Sequence, residues 1–360
     1  MTLERGDDKI RVLVVDDSAL MSRQITRILE NGKEFQVVGW AKDGLEALAM
    51  VQALRPDVVT LDVEMPRMNG ITALKHIMVK YPIPTVMISA LTVEGAKTSF
   101  DALRYGAIDV IAKPSRREDE SLESQHAEII SKVRRAAAIR TGRSRYMRIS
   151  PREPFERTTH KGLGPDPTTR FIGVGAGTGG YYALLRIIPL LPPEFHDVLA
   201  AVILVGSRYV DPFVSYLNSV SAVPVKKAEG TTYVEKGTCY ICSGDSGPLL
   251  DAGADGNVRF SFAPNSSHNS QRGAIDRMFE SYASVVGTRA VGVVMTGSGT
   301  DGAVGLSQIR EAGGITIIQD INNCMDPSMP LAVLERGSVT KMLPDYLIAE
   351  FLTNNMAPRN

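Results

Sequence analysis

Five polar side chains stand directly after short apolar runs in the first third of the chain: Asp16, Asp17, Asp62, Ser89 and Lys113. Three carboxylates in one crevice repel each other unless a hard cation neutralises them, and Mg²⁺ suits such oxygen ligands. A lysine adds positive charge and a serine adds a short hydroxyl. This set predicts phosphoryl transfer to an aspartate. Any one of these residues alone would be read as a solvated turn or a helix cap.

Two glycine-rich segments in the second half form another candidate site. The first, 173–180, and the second, 296–303, each follow an apolar run and precede a helical one. Such turns bring backbone N–H groups to a helix N-terminus and often hold a nucleophile. Gly177, in the middle of the first turn, has no side chain to act as one. Asp301, in the second turn, could orient a histidine as a triad acid does, or cap its helix.

Apolar runs alternate with segments of helical spacing on both sides of an irregular stretch. This alternation predicts an α/β protein with two doubly wound parallel-sheet domains, whose chemistry lies at the carboxyl ends of the strands. The predicted strands are Ile10–Val15, Gln36–Ala41, Val58–Leu61, Thr85–Ile88, Asp109–Ile111, Phe171–Ala176, Val198–Val205, Ala290–Met295 and Ile315–Gln319. The predicted helices of the second half are Tyr181–Leu191, Ile275–Val286, Val304–Ala312 and Leu331–Arg336, and a hairpin is predicted around Gly253–Asn257.

Length and composition limit the possible classes. A chain of 360 residues favours two domains. Arginines and prolines without apolar spacing crowd the stretch 140–169, which predicts domains at 1–125 and 170–360, with a helix and linker over 126–169. Basic and acidic residues balance at 40 each, so no nucleic-acid partner is expected. No membrane span or signal peptide is expected, and three cysteines suit a reducing compartment, so we expect a cytoplasmic protein.

The first half resembles the receiver domain of bacterial response regulators. Val-Leu-Val-Val-Asp-Asp-Ser, Leu-Asp-Val-Glu-Met-Pro and Ala-Lys-Pro-Ser carry this resemblance, which covers Lys9 to about Ser115. It implies that Asp62 accepts the phosphoryl group from a sensor histidine kinase of the CheA type. It also implies that Mg²⁺ binds to Asp17, Asp62 and the backbone carbonyl of Glu64, and to Asp16 mostly through water.

The resemblance further implies that Ser89 and Lys113 sense the phosphoryl group. One position departs from the receiver pattern. Three residues before the lysine, receivers usually carry an aromatic switch residue, whereas this chain has Val110. Phosphorylation is therefore expected, and switching through that aromatic side chain is not.

The whole chain resembles chemotaxis-type protein-glutamate methylesterases (CheB). Gly-Ala-x-Thr-Gly-Gly, Thr-Gly-x-Gly-x-Asp-Gly-Ala, Ile-Gln-Asp and Met-Pro-x-Ala follow the receiver and linker in that family's order. Members demethylate, and some deamidate, receptor glutamyl side chains with a Ser-His-Asp triad. Here the serine position is Gly177, the histidine position is Ser207 (or Gly206, allowing one slip), and Asp301 remains. We expect a regulator that no longer hydrolyses but binds, with chemoreceptor tails among the possible partners.

Two alternatives remain open from the residues. An active methylesterase or glutamine deamidase could be rebuilt from Ser298 or Ser207 with His268, because His196 precedes the second strand and is expected at the opposite edge. The glycines at 175, 177 and 180 also match a dinucleotide fingerprint, with Arg208 placed for an NADP 2′-phosphate. Cys239-x-x-Cys242 lies in a strand-like run, which favours buried, inert thiols over a metal pair.

Overall fold

The chain divides into two compact units, residues 1–149 and 150–360. The computed structural model describes residues 9–31, 33–90, 93–114, 122–139, 165–204, 206–245, 247–253, 258–262 and 273–354. Each unit is built on one all-parallel sheet with helices packed against it, which confirms the predicted fold class. The domain limits at 125 and 169 stay a prediction, and the arginine-rich part of the linker lies outside the described residues. No described helix is long and apolar enough to cross a bilayer.

The first unit has a five-stranded parallel sheet in the order β2-β1-β3-β4-β5. Its strands are β1 (Ile10–Val15), β2 (Phe35–Ala41), β3 (Val58–Asp62), β4 (Thr85–Ser89) and β5 (Asp109–Ala112). Its helices are α1 (Ala19–Asn31), α2 (Gly44–Leu54), α3 (Gly70–Lys80), α4 (Val93–Arg104) and α5 (Leu122–Ala138). Helix α1 packs with α5, and α3 packs with both α2 and α4. From β1 the chain goes to β2 on one side of the sheet, and from β3 it goes to β4 on the other side, which opens a crevice at the carboxyl ends of β1 and β3.

Helix α5 belongs to the first unit and is held there by a buried lysine. Lys132 is 3% exposed, and its Nζ donates to the Val110 carbonyl oxygen at 2.6 Å. The same Nζ lies 3.4 Å from Asp109 Oδ1 and 3.0 Å from Glu128 Oε1. A buried ammonium is tolerated where such partners surround it. The helix predicted at the start of 126–169 thus begins at Leu122, and it packs on β5.

The second unit has a seven-stranded parallel sheet in the order β15-β14-β13-β6-β7-β10-β8, and a three-stranded antiparallel sheet in the order β11-β12-β9. The parallel strands are β6 (Phe171–Ala176), β7 (Val198–Ile203), β8 (Val225–Lys227), β10 (Cys239–Ser243), β13 (Ala290–Val294), β14 (Ile315–Gln319) and β15 (Lys341–Leu343). The antiparallel strands are β9 (Thr232–Tyr233), β11 (Pro248–Ala252) and β12 (Val258–Phe262). The helices are α6 (Gly180–Leu185), α7 (Val210–Val220), α8 (Ala274–Val286), α9 (Ala303–Glu311), α10 (Ser328–Glu335) and α11 (Asp345–Asn354).

The predicted hairpin is confirmed, because β11 and β12 pair as antiparallel neighbours across Gly253–Asn257. The predicted helix over Tyr181–Leu191 is wrong in its length. Helix α6 ends at Leu185, and a short 3₁₀ turn over Ile188–Leu190 follows it. Pro189 lies inside that turn, where its missing N–H and fixed φ prevent an α-helix from continuing.

Candidate functional site

Three carboxylates meet at the carboxyl end of the first sheet. Asp16 and Asp17 follow β1, and Asp62 ends β3 on the neighbouring strand. One oxygen of each lies within 4.8 Å of the others. Asp16 and Asp62 are buried and Asp17 is exposed. The strand-end pattern in the sequence therefore corresponds to a real cluster of acids. A cavity of about 600 Å³ opens beside it, and Asp17, Asp62, Glu64, Ser89 and Lys113 are among its lining residues.

Lys113 provides the positive charge of this cluster. Its Nζ lies 2.7 Å from Asp62 Oδ2 and 3.1 Å from Asp16 Oδ2. Burial raises the pKa of Asp62, and the charge of Asp16 adds to that rise while the Lys113 hydrogen bond opposes it. Burial by itself lowers the pKa of Lys113, but the hydrogen bond to Asp62 and the two carboxylate charges outweigh burial and raise it. One ammonium faces three carboxylates, so the cluster keeps an excess of negative charge that a cation would relieve.

The turn after Asp62 is fixed by a glycine. The backbone N–H of Gly70 donates to the Val63 carbonyl oxygen at 2.9 Å, and Asn69 caps α3 by accepting from the Thr72 N–H. A Cβ on Gly70 would lie 1.9 Å from the Asp62 carbonyl oxygen. Only glycine lets α3 start this close to the end of β3. The turn 63–69 is thereby held against the cluster, with Glu64 on the cavity wall.

Ser89 ends β4 at the same edge and contacts helix α4. Its Oγ donates to the Ala90 carbonyl oxygen at 3.0 Å and accepts from Ser99 Oγ at 2.8 Å. Ser99 lies on α4 and is fully buried. Ser99 could not be predicted, because a serine inside a helical segment carries no signal of its own. Ser89 thus links the cavity to a helix.

Trp40, near the end of β2, contacts the backbone beside the acid cluster. Its Nε1 donates to the Asp16 carbonyl oxygen at 2.8 Å, and the side chain is 41% exposed. Ser22 Oγ, from α1, donates to the same oxygen at 3.3 Å. Trp40 is the one tryptophan of the sequence. Its indole therefore stands next to the backbone that carries two of the acids.

The two glycine-rich turns of the second unit lie against each other. The Gly177 N–H donates to the Thr296 carbonyl oxygen at 2.9 Å. A Cβ on Gly177 would lie 3.0 Å from Gly297 Cα and 3.4 Å from the Ser298 nitrogen. Thr178 Oγ1 and Ser298 Oγ share a hydrogen bond of 2.9 Å. A pair of hydroxyls thus bridges the two turns next to the position that lacks a side chain.

Asp301 caps a helix, but not the one that follows it. Its Oδ2 accepts from the Ile275 N–H at 3.2 Å, and its Oδ1 accepts from the Asp276 N–H at 2.9 Å. These are the N–H groups that an N-cap side chain of α8 would satisfy, and the N-cap residue of α8 is Gly273, which has none. Of the two roles considered for Asp301, capping of its own helix is not what the structure shows, because the donors that it satisfies belong to α8.

Asp276, in the first turn of α8, caps α9 in the same way. Its Oδ1 accepts from the Gly305 N–H of α9 at 2.7 Å. Burial raises the pKa of Asp276, and the hydrogen bond from Gly305 opposes that rise. Each of the two helices is thus capped by an acid from the other's segment. Asp301 has a structural task that does not depend on a histidine.

We expect Asp301→Ala to lower the free energy of unfolding by about 1–2 kcal/mol, the usual cost of a lost N-cap. A Cβ at Gly273 would lie 2.1 Å from Asp301 Cγ, so removing that carboxylate makes room there. Gly273 has φ −70° and ψ 175°, as an N-cap residue requires. Gly273→Asp should therefore rescue Asp301→Ala and destabilise the unmodified chain. Urea unfolding of the three variants measures this; equal effects of Gly273→Asp in both backgrounds would contradict the cap.

Of the remaining candidates of the second unit, the structure describes the side chains of His196 and Ser298. Ser207 begins a 3₁₀ turn after β7, and its side chain lies outside the described residues, as does His268. His196 is exposed and precedes β7, at the amino end of the sheet, as predicted. Ser298 has a described hydrogen bond to Thr178, a hydroxyl and not a base. Within the described residues, the structure brings Gly177 and Ser298 together and shows no general base beside them.

The glycines of the dinucleotide fingerprint have packing roles. A Cβ on Gly175 would lie 2.4 Å from Ile275 Cγ2, so this glycine lets α8 approach β6. The Gly177 N–H is bonded to Thr296, and α6 has only six residues, all buried. Arg208 donates to the Tyr209 hydroxyl at 3.1 Å. Packing thus accounts for Gly175, and the Gly177 backbone is held by the neighbouring turn.

Cys239 and Cys242 lie in β10 and are both fully buried. Residues three apart in a strand point to opposite faces, so the two sulfurs cannot bind one metal ion. Burial raises the pKa of both thiols far above the ordinary value. These are the buried, inert thiols predicted from the sequence.

Comparison with known proteins agrees with this architecture. Residues 172–352 match the family model of the CheB methylesterase, and residues 12–123 match that of the response regulator receiver domain. The protein-glutamate methylesterase/protein-glutamine glutaminase of Pyrococcus abyssi is 41% identical over 343 residues, which are 95% of this chain and 92% of that protein. The protein of the same name from Symbiobacterium thermophilum is 37% identical over 358 residues, 97% of this chain and 98% of that protein.

A solved structure that is similar is the CheB methylesterase catalytic domain of Thermotoga maritima, with 32% identity, coverage of 51% of this chain and 97% of that one, and a TM-score of 0.48. The family match spans half of the chain, and the Pyrococcus abyssi and Symbiobacterium thermophilum relatives are covered almost end to end. The chain therefore belongs to the CheB methylesterase family, with a response regulator receiver domain ahead of its methylesterase domain.

Proposed function

We propose that the chain is a phosphorylation-controlled regulator of a chemosensory pathway whose methylesterase domain binds its partner without hydrolysing it. One contrast carries this proposal. In the receiver, three acids lie close together and Lys113 is within hydrogen-bond distance of Asp62 and Asp16. In the second unit, the triad positions are a glycine and a serine, and the remaining acid caps α8. Triad members act as a unit, so the loss of two removes most of the rate.

In the receiver, Asp62 is the proposed phosphoacceptor. One carboxylate oxygen would form a bond to the phosphorus as the bond from phosphorus to the donor's nitrogen breaks, and Lys113, already 2.7 Å from Asp62 Oδ2, would stabilise the charge on the phosphoryl oxygens. The donor class is a sensor histidine kinase, with a CheA-type kinase as the proposed partner. We therefore expect the proposed reaction to take place in the cytoplasm.

Mg²⁺ is the proposed cofactor, because three close carboxylates beside the cavity are the oxygen donors that it prefers. Asp17, Asp62 and the Glu64 carbonyl would hold it, and Asp16 would act mostly through water. When bound, Mg²⁺ supplies positive charge to the transferred phosphoryl group. Asp62 must then be ionised, and the ammonium of Lys113 supports that state from within the cluster.

Mg²⁺ is expected to change the emission of Trp40 in a saturable way, because the indole is bonded to the carbonyl of Asp16. A fluorescence titration of the full chain measures this change. Asp17→Asn should abolish the response. Glu30→Gln, which alters a charge in the groove beside Trp40 but outside the acid cluster, should keep it. An Asp17→Asn variant that responds like the unmodified chain would rule out Mg²⁺ binding at these acids.

In the second unit, the proposed activity is binding through the surface around the two glycine turns. A hydrolase needs a nucleophile and a base. Among the described residues, the side chain bonded to Ser298 is the Thr178 hydroxyl, which does not act as a base at neutral pH. Chemoreceptor cytoplasmic tails are the proposed partners, because the relatives are named for glutamate demethylation and glutamine deamidation. A bound tail would then be held and not processed.

The test is methyl release from a methylated receptor fragment by the full chain, with and without a phosphodonor. The Pyrococcus abyssi relative serves as the positive control. We expect no release above the blank, together with measurable binding of the same fragment by calorimetry. Release that falls when Ser298 is replaced by alanine would overturn the non-hydrolytic proposal, since it would identify Ser298 as a nucleophile.

A further inference from the structure

We propose that Ser99 is the positioning residue that connects the phosphoacceptor cavity to helix α4. The connection is the hydrogen bond from Ser99 Oγ to Ser89 Oγ, 2.8 Å long and buried. The inference rests on the proposed function, because it takes Ser89 as the residue that senses the phosphoryl group. It adds Ser99 as the next residue along the route.

Ser89 has a single hydroxyl proton, which limits the hydrogen bonds that it can donate. A hydroxyl has one proton to donate, and that of Ser89 goes to the Ala90 carbonyl oxygen, while Ser99 donates into the Ser89 oxygen. To bond a phosphoryl oxygen in the cavity, the Ser89 hydroxyl must break its hydrogen bond to the Ala90 carbonyl oxygen and turn towards Asp62. Because the Ser99 bond is already at its ordinary length, this movement lengthens it unless α4 follows.

Burial makes the hydrogen bond between Ser99 and Ser89 sensitive to a movement of either residue. Ser89 is 2% exposed and Ser99 is 0% exposed, so water cannot replace a weakened bond between them. The neighbours of Ser99 on α4, Phe100 and Leu103, are also fully buried. A change at Ser99 therefore moves packed side chains, and the helix responds as a whole.

In this chain Val110 occupies the position where receivers usually carry the aromatic switch residue, and its surroundings argue against a signal that passes through it. Val110 is fully buried and pairs with Met87 of β4, and its carbonyl accepts from Lys132. An aliphatic side chain held in this way cannot swing between a buried and an exposed position as an aromatic switch does. The hydroxyl pair on the neighbouring strand offers a movable contact in its place.

The experiment measures beryllofluoride binding, with Mg²⁺, by the full chain and by Ser99→Ala, Ser99→Thr and Thr98→Ala. Trp40 emission reports affinity, and hydrogen exchange of the α4 peptide reports the helix. Because Ser99→Ala removes the bond that the movement of Ser89 would otherwise have to lengthen, we expect affinity to rise about fivefold, the effect of one hydrogen bond. The exchange of α4 should change on binding in the unmodified chain and no longer in Ser99→Ala.

Ser99→Thr, which keeps the hydroxyl, and Thr98→Ala, the adjacent residue on α4, should behave like the unmodified chain. Affinity that is unchanged or lower in Ser99→Ala, or an α4 response that persists in it, overturns the inference. Absence of beryllofluoride binding by the unmodified chain would count against the proposed phosphoacceptor cavity itself. A double-mutant cycle with Ser89→Ala should show that the two substitutions are not additive.

Discussion

Asp62→Asn is expected to abolish Mg²⁺-dependent incorporation of phosphate from acetyl phosphate, to below the detection limit. The amide keeps the size of the side chain but has no carboxylate oxygen that can form the acyl phosphate. The asparagine would occupy the same place beside Lys113, so we expect the cavity to keep its fold. Radiolabelled phosphodonor and intact-mass measurement on the full chain both detect the product.

Asp57→Asn is the matched control for this substitution. Asp57 precedes β3 at its amino end and accepts from the Arg11 N–H, so it lies on the same strand segment but away from the acid cluster. Labelling should persist in this variant at the level of the unmodified chain. Labelling that survives Asp62→Asn would show that another carboxylate accepts the phosphoryl group and would refute the assignment.

Gly70→Ala is expected to destabilise the first unit by about 3 kcal/mol, at the upper end of overpacking costs. The new Cβ would lie 1.9 Å from the Asp62 carbonyl oxygen, a backbone atom that cannot turn away as a side chain can. Relieving the overlap must shift α3 or the end of β3, and the phosphoacceptor with it. Urea unfolding and phosphoryl labelling should therefore both be impaired.

Gly39→Ala separates this effect from a general cost of replacing glycine. A Cβ on Gly39 would meet Leu54 Cδ1 at 2.9 Å, the mobile end of a side chain. Its cost should be well below that of Gly70→Ala, and labelling should remain. Equal destabilisation by both substitutions would mean that the contact with Asp62 does not explain the glycine at position 70.

The receiver could be predicted closely because its signals are local. Each strand is a short apolar run, and the chemistry-bearing residue stands directly after it, so one pattern gives both the fold and the cluster. The predicted start of β2 at Gln36, for example, lies one residue from the observed Phe35. Ser99 could not be predicted, because its significance depends on α4 crossing close to the end of β4.

The second unit was predicted less completely, for two different reasons. Strands β8 and β15 have three residues each, too few to show a period. Helix α7 did carry a signal, since Val210, Phe213 and Leu217 recur at helical spacing and are buried, and it was overlooked. The role of Asp301 could not be read from its neighbours, because the donors that it satisfies are 25 and 26 residues away.

The location of Trp40 also allows the unfolding of the two units to be followed separately. Because the chain has one tryptophan and it lies in the first unit, selective excitation of tryptophan follows the unfolding of the receiver alone. Circular dichroism follows the helices of both units. If the two transitions differ in midpoint, their difference gives the stability of each unit within the intact chain, and a phosphoryl mimic should shift the tryptophan transition directly. Any shift of the other transition would then measure the coupling between the units in free-energy terms.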